Sequence, residues 1–458
     1  MESRYGAEGA GLSIVEDVPF GHSGTPPGGR ICSLVAAAGF ARRGRKRSSK
    51  QIRWKAVMAP KAPGFVTSLD GCPLRLEARR YDLYVAHYDV IVVGAGPAGS
   101  TTAYRLARAG ARVCLFDRAR FPRDKPCGGG LTLRAVRELP FSVEPVVEDR
   151  VHTLELGLRY GRRWSRRADE PLVLMTQRRR LDAFLADQAA VAGVEFRDGA
   201  KVTAVDPRGA VTLAGERLEA DVVVGADGAN GVTARSLGLP AHEHGVALEG
   251  NVRYSHASRQ RFGGRAVVEL GAVPGGYAWV FPKGDHVNVG VGGWQSEGPR
   301  LRERLRELCA AFEIDEAEVR ELRGHRLPMR GATRRPVEQR VLLVGDAAGL
   351  VDPLSGDGMY EAFVSGRLAT EATLELLGGG AASLEPYATQ FAATFAPLET
   401  VSWRAKLAFE RFPGLAFRLA TMNLSWRLFQ SVVRGDRKAS DTHGLKGAPL
   451  RMLKALGT

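Results

Sequence analysis

A chain of 458 residues and 49.4 kDa, 44% hydrophobic and 25% charged, is longer than one hydrophobic core usually supports and predicts two or three domains of enzyme size. Its 65 Lys plus Arg against 50 Asp plus Glu leave a net charge of +15, which on its face invites a nucleic-acid partner. The distribution excludes that reading: residues 1–87 carry 14 basic and 7 acidic side chains, residues 401–458 carry 11 and 3, and the long middle is neutral. A polyanion is gripped by Lys and Arg on the binding face itself, not on appendages.

The five cysteines, Cys32, Cys72, Cys114, Cys127 and Cys309, are odd in number, scattered and free of any CxxC pair. Neither a disulfide framework nor a zinc or iron–sulfur site is expected, and a reducing cytoplasm fits best. His242 and His244 form a lone HxH without a third ligand, so no metal is expected. No apolar run approaches the roughly 20 residues of a transmembrane helix, and the N-terminus lacks the pattern of a secretory signal.

In chain order, residues 1–87 are rich in Gly, Ser, Pro and Arg, with the basic run ARRGRKRSSKQIRWK at 41–55, and read as a disordered extension. They are either a transit peptide, against which Glu8, Glu16 and Asp17 count, or an overlong gene start with translation beginning near Met58. At Tyr88 the pattern changes. YDVIVV reads as a strand, GAGPAG as a turn, STTAYRLARAGA as a helix and RVCLF as a second strand ending at Asp117, which together make a βαβ unit. Further strands are expected at 220–225, 266–270, 286–292 and 341–345, with helices at 181–193 and 358–377. The fold class is α/β: a Rossmann-like parallel layer over 88–150, 178–240 and 335–396, interleaved with an antiparallel-sheet substrate domain over 151–177 and 241–334. A helical basic segment follows over 397–458.

Gly94-x-Gly96-x-x-Gly99 follows a strand, opens a helix and precedes Asp117 by 23 residues. Gly94 permits the turn, Gly96 lets backbone approach a pyrophosphate, Gly99 allows close helix–strand packing and Asp117 can accept ribose hydroxyls. The bland alternative is a glycine turn without a ligand. Asp346, at a strand end, can bind ligand hydroxyls or serve as a helix N-cap. Gly356 and Gly358 leave backbone N–H groups free at a helix start. In an alternating strand Tyr277, Trp279 and Phe281 point the same way, as a wall for a long apolar chain or as ordinary core. Cys127, followed by three glycines, either delivers a proton from open backbone or is merely tolerated there. Lys125 and Lys283 are expected to be solvated or to meet a phosphate-bearing head.

GADGANGVTARSLGL (225–239) and VLLVGDAAGLVDPLSGDGMYEA (341–362) resemble the second and third FAD fingerprints of flavoprotein monooxygenases related to p-hydroxybenzoate hydroxylase. The resemblance implies a resident FAD, with Asp346 at its ribityl chain and with Asp227 and Arg118 in the cofactor-binding set. KPCGGGL (125–131) and PGGYAWVFPKGDHVNVGVGG (274–293) resemble the geranylgeranyl reductase group, whose mark is a PxxYxWxFP-like stretch, here Pro274, Tyr277, Trp279, Phe281 and Pro282. The related halogenases carry a Trp-x-Trp-x-Ile-Pro version. QRRRLDAFLADQA (177–189) resembles another stretch of the group and implies that Arg178 contacts the flavin.

The activity so implied is saturation of C=C bonds in a prenyl chain, on geranylgeranyl diphosphate, a prenylated quinone or an isoprenoid lipid, by hydride from reduced flavin N5 with Cys127 as acid. NAD(P)H or another electron donor would act as a transient reductant, because the one complete fingerprint is taken by FAD. The alternative is an FAD-dependent monooxygenase or flavin halogenase acting on a natural product. Residues 398–433 set Trp403, Phe409, Phe412, Phe417, Trp426 and Phe429 among Arg404, Lys406, Arg411, Arg418 and Arg427. Such helices either lie on an anionic membrane surface or cap the substrate domain, so a peripheral membrane protein is among the expectations.

Overall fold

The computed structural model describes residues 87–239, 244–329, 335–438, 440–441, 451–452 and 455–457. The expected N-terminal extension, His242 of the HxH pair and most of the tail past 441 lie outside the described residues.

Tyr88–Val93 is a nearly continuous β-branched run and is buried almost throughout, as a strand covered on both faces must be. It lies at the centre of a sheet in which Val341–Leu343, Glu216–Gly225, Tyr88–Val93, Val113–Phe116 and Glu195–Arg197 run parallel in that order, with Val337–Glu338 antiparallel at one edge. The crossover from the central strand is the helix Pro97–Arg108, which begins on Gly96 with Pro97 at its first position. Helices Arg178–Val191 and Met359–Leu377 pack against it. The first of these turns Leu181, Leu185 and Ala189 inward at four-residue spacing. Since the strands are parallel, their carboxyl ends deliver Gly94, Asp117, Ala226 and Val344 to one edge, where open α/β sheets bind ligands.

The second sheet has seven strands in the order Arg320–Pro328, His244–Arg253, His286–Trp294, Tyr277–Pro282, Arg265–Leu270, Thr153–Leu158, Arg162–Arg167. All neighbours are antiparallel except Arg265–Leu270 with Thr153–Leu158, which run parallel. One face packs on helix Leu301–Ala311, burying Val280, Val289, Val291, Leu305 and Leu308. A small sheet of Gly130–Thr132, Val173–Met175 and Asp149–Val151 joins the loop at 125–129 to the helix that starts at Arg178.

Three long helices follow in the C-terminal part of the described residues. Glu385–Arg411 continues past Pro397 without a break, burying Tyr387, Phe391 and Phe395 in its first half and Val401, Ala405 and Ala408 in its second. Pro413–Ala420 and Asn423–Arg434 follow. Trp426 meets Trp164 edge-on at 5.5 Å, so the aromatic-rich segment caps the second sheet. Phe412, Leu415 and Met422 of the same segment stay about half exposed.

Candidate active site

At the sheet's carboxyl edge Gly94 adopts φ +104°, and a side chain there would overlap the backbone at Ala226. Only glycine meets both conditions. A Cβ on Gly99 would overlap Gly94 O, so that residue sets how near the helix comes to the strand. At Gly96 a Cβ would meet only the tips of two arginines in ordinary contact, an Nη of Arg123 at 3.6 Å and one of Arg178 at 4.0 Å. Asp182, four residues along the helix from Arg178, binds it through two hydrogen bonds of 2.7 and 2.8 Å and takes Arg123 at 2.8 Å. Burial opposes the charge on Arg178, but Asp182 beside it holds the guanidinium protonated. Asp117, 8% exposed at the tip of its strand, accepts the N–H groups of Ala95 and Ala119, both at 2.9 Å. Arg118 is exposed on the rim next to it. A helix N-terminus and two guanidinium groups as donors, with a strand-end carboxylate as acceptor, form a set that suits a dinucleotide pyrophosphate and ribose.

The second and third fingerprint segments close this edge. Asp227 braces its own loop by accepting the N–H and the hydroxyl of Thr233 at 2.9 and 3.0 Å, and burial pushes its carboxyl up. Asp346 takes Lys125 Nζ at 2.9 Å and is not an N-cap: it sits inside the turn Gly345–Ala348, whose cap position is Val344. Removal from water works against its charge, yet Lys125 holds it below the usual carboxylate range. Next to this pair His325 lines the cavity with its Nε2 buried and without a hydrogen-bond partner, and burial lowers it to about 4. Gly356, at φ +66°, and Gly358, the cap of helix Met359–Leu377, lie in a loop wrapped on Asp352, which accepts the N–H groups of Leu354 and Ser355. Ser402 of the first C-terminal helix donates to the same carboxylate, and the Tyr277 hydroxyl donates to Ser355 O. The strand of aromatics and the glycine loop are thereby tied together.

Tyr277, Trp279 and Phe281 do share one face, with ring centroids 5.8 and 6.1 Å apart in succession. The register explains what surrounds them. Across the sheet Glu249 lies opposite Gly290, Gly290 opposite Trp279, Trp279 opposite Val268, Val268 opposite Leu156, and Leu156 opposite Trp164. The neighbouring row runs from His325 through Ala247, Gly292 and Tyr277 to Leu270. This face is therefore polar at one edge, apolar at the other and aromatic between, and it lines a cavity of about 1050 Å³ that reaches from Gly96 to Trp426 and Phe429.

Cys127 sits where the polar edge meets the aromatic row. Its N–H donates to Glu249 Oε1 at 2.5 Å, and Gly129 N–H approaches its Sγ at 3.4 Å. Gly128 leaves room for Phe281, since a Cβ there would stand 2.9 Å from the ring. Lys283 corrects the expectation of a solvated lysine: it is 3% exposed and donates to Thr176 O at 2.9 Å and Cys127 O at 3.4 Å. Lys125 likewise points into the cavity instead of into solvent. The structure thus brings Gly94, Gly96, Asp117, Arg118, Cys127, Arg178, Asp227, Tyr277, Trp279, Phe281, Asp346, Gly356 and Gly358 to one cavity, with Gly99 in the helix behind it. Sequence reasoning missed Arg123, Asp182, Glu249 and His325. Glu249 had a legible signal, a lone acid in the apolar alternation of VALEGNV.

The FAD binding domain family matches residues 87–382. The chain is 31% identical to the geranylgeranyl diphosphate reductase of Synechocystis over 317 residues, 64% of this chain and 76% of the relative. It is 35% identical to the menaquinone reductase of Mycobacterium tuberculosis over 310 residues, 62% of this chain and 76% of the relative. Among solved structures, a geranylgeranyl bacteriochlorophyll reductase-like protein of Thermoplasma acidophilum superposes with a TM-score of 0.66 at 22% identity, covering 81% of this chain and 99% of the other. A flavin-dependent brominase does so with a TM-score of 0.63 at 18% identity, covering 80% and 98%. At such identities the two structures speak for the fold.

Proposed function

The chain belongs to the geranylgeranyl reductase family of FAD-dependent oxidoreductases, and within it we propose that this protein saturates isolated C=C bonds in the prenyl chain of a quinone or other lipid. The observation that carries the reading is the polarity gradient across the cavity-facing sheet, with Cys127 at the border. Its apolar half, formed by Leu154, Leu156, Trp164, Val268, Trp426 and Phe429, suits a hydrocarbon chain. The relatives named for geranylgeranyl diphosphate and menaquinone support the same substrate chemistry.

FAD, when bound, supplies the hydride. The N-terminus of helix Pro97–Arg108, with Arg123 and Arg178, would hold its pyrophosphate. Asp117 would hold the ribose, and Asp346, Gly356 and Gly358 the flavin end. Tyr277, Trp279 and Phe281 orient the chain and keep water away. Cys127 gives the proton, because a trisubstituted alkene without a carbonyl cannot be reduced by hydride alone. The electron donor is NAD(P)H or another carrier that docks transiently.

Under nitrogen, with reduced flavin and candidate substrates, mass spectrometry should find two hydrogens gained per double bond. Cys127→Ala should lower turnover about 10²-fold with flavin content unchanged. Product formed only when oxygen, with halide or NADPH, is supplied would instead support the monooxygenase or halogenase reading and overturn this one.

A further inference from the structure

Resting on the reductase reading above, we propose that Glu249 stands behind Cys127 in proton delivery. Together with Lys283 it fixes the cysteine's peptide groups, and its carboxyl returns the proton that the thiol gives up.

Three observations converge on it. The first is a two-handed grip: Glu249, on the strand His244–Arg253, accepts the Cys127 N–H at 2.5 Å, while Lys283, in the turn just after the strand Tyr277–Pro282, approaches the Cys127 carbonyl at 3.4 Å. The second is placement. Glu249 lies on the cavity face, separated from the Trp279 indole only by Gly290, where a side chain would overlap that indole. The third is cost. Glu249 is 8% and Lys283 3% exposed, and burying an acid and an amine in a sheet is a poor way to gain stability. A mechanistic use explains their presence. Gly129 is shaped by the same cluster, with φ +79° and no space for a Cβ beside Lys283 Nζ.

Burial pushes the Glu249 carboxyl up, toward its protonated form, and pushes the Lys283 ammonium down. Lys283 and Asp124 act on Glu249, and Arg323 lies across the strand from it. Cys127, Glu148 and Asp124 all bear on Lys283.

As hydride reaches one alkene carbon, the S–H bond of Cys127 breaks and a C–H bond forms at the other carbon, leaving a thiolate. The Glu249 O–H then breaks and Sγ is reprotonated. The resulting carboxylate, with Lys283 close by, recovers a proton from water.

Glu249→Gln keeps an acceptor for the Cys127 N–H but cannot supply a proton, whereas Glu249→Ala loses both. The first measurement needs no substrate: iodoacetamide alkylation of Cys127 against pH in the flavin-loaded protein, read at the Cys127 peptide by mass spectrometry. Removing a neighbouring carboxylate should move the alkylation midpoint to lower pH in both variants. The second is anaerobic turnover, where both variants should lose about 10²-fold in steady state and far less in the first turnover. A Gln variant that matches wild type in both measurements, with only Ala impaired, would reduce Glu249 to a structural clamp and overturn the proposal. Equal losses in first and later turnovers would overturn it too. If the wild type reduces no alkene, the function fails, while the alkylation profile still decides whether the two side chains are coupled.

Discussion

At Gly290 a methyl group would overlap the Trp279 indole, and at Gly128 it would press on the Phe281 ring. Two glycines thus set the position of the aromatic row by what they leave out. Gly290→Ala must tilt the indole from its hydrogen bond to Asn288, 2.8 Å at present. Overpacking of this kind costs about 1–3 kcal/mol. The expected outcome is a lower melting temperature with flavin content kept, and a KM for the prenyl substrate that rises more than kcat falls. An unchanged KM would show that the row does not touch the chain. On the nucleotide side, Asp182 is the residue on which two cations depend. Asp182→Asn should leave Arg123 and Arg178 poorly paired and release flavin on gel filtration, whereas loss of stability with flavin retained would assign Asp182 to packing alone.

The helix Glu385–Arg411 joins the two halves of the site from outside, through Ser402 on Asp352 and through Lys406 on the turn at Gly275. Lys406 is 6% exposed, its ammonium stands 4.3 Å from the Trp294 ring centre, and Trp294 stacks on Trp403 of the same helix. Burial lowers Lys406 to about 8, with Glu410 and Asp352 opposing the fall. The folded value lies below the ordinary lysine value, so between the two the unfolded chain binds a proton that the folded chain has released. Stability should therefore rise from about pH 8 toward the ordinary lysine range, by on the order of 1–3 kcal/mol. Chemical denaturation across that range should show the slope in wild type and not in Lys406→Met; parallel curves would mean that the lysine is effectively solvated.

For the whole molecule, the charge of +15 resolves into separate regions instead of one field. Among the described residues Phe412, Leu415, Met422 and Phe429 are four of the six exposed large hydrophobic side chains, and Phe429 also lines the cavity. Arg404, Arg411, Arg418 and Arg427 lie in the same stretch. No helix of the described residues is long and apolar enough to cross a membrane. A peripheral contact with anionic lipid remains our proposal, now located at this cluster. Replacing Phe412, Leu415 and Met422 together by Ser should reduce sedimentation with anionic vesicles about tenfold without changing flavin content. Equal sedimentation of the variant and wild type would discard the contact.

What the sequence determined by itself was the part written in local patterns. Short β-branched runs announced the parallel strands, a glycine turn with an aspartate 23 residues on announced the nucleotide edge, and strict alternation put Tyr277, Trp279 and Phe281 on one face. The strands Arg162–Arg167 and Arg320–Pro328 were not legible, being polar sheet edges with little apolar periodicity. Only the tertiary structure decided that Lys283 is buried, that Asp182 serves two arginines, that Glu249 reaches Cys127 across 122 positions, and that the C-terminal aromatics cover the cavity. The physical reason is common to all four. Backbone pattern and turn chemistry act over a few residues, whereas the partner of a buried charge is set by strand register and loop packing between segments far apart in the chain.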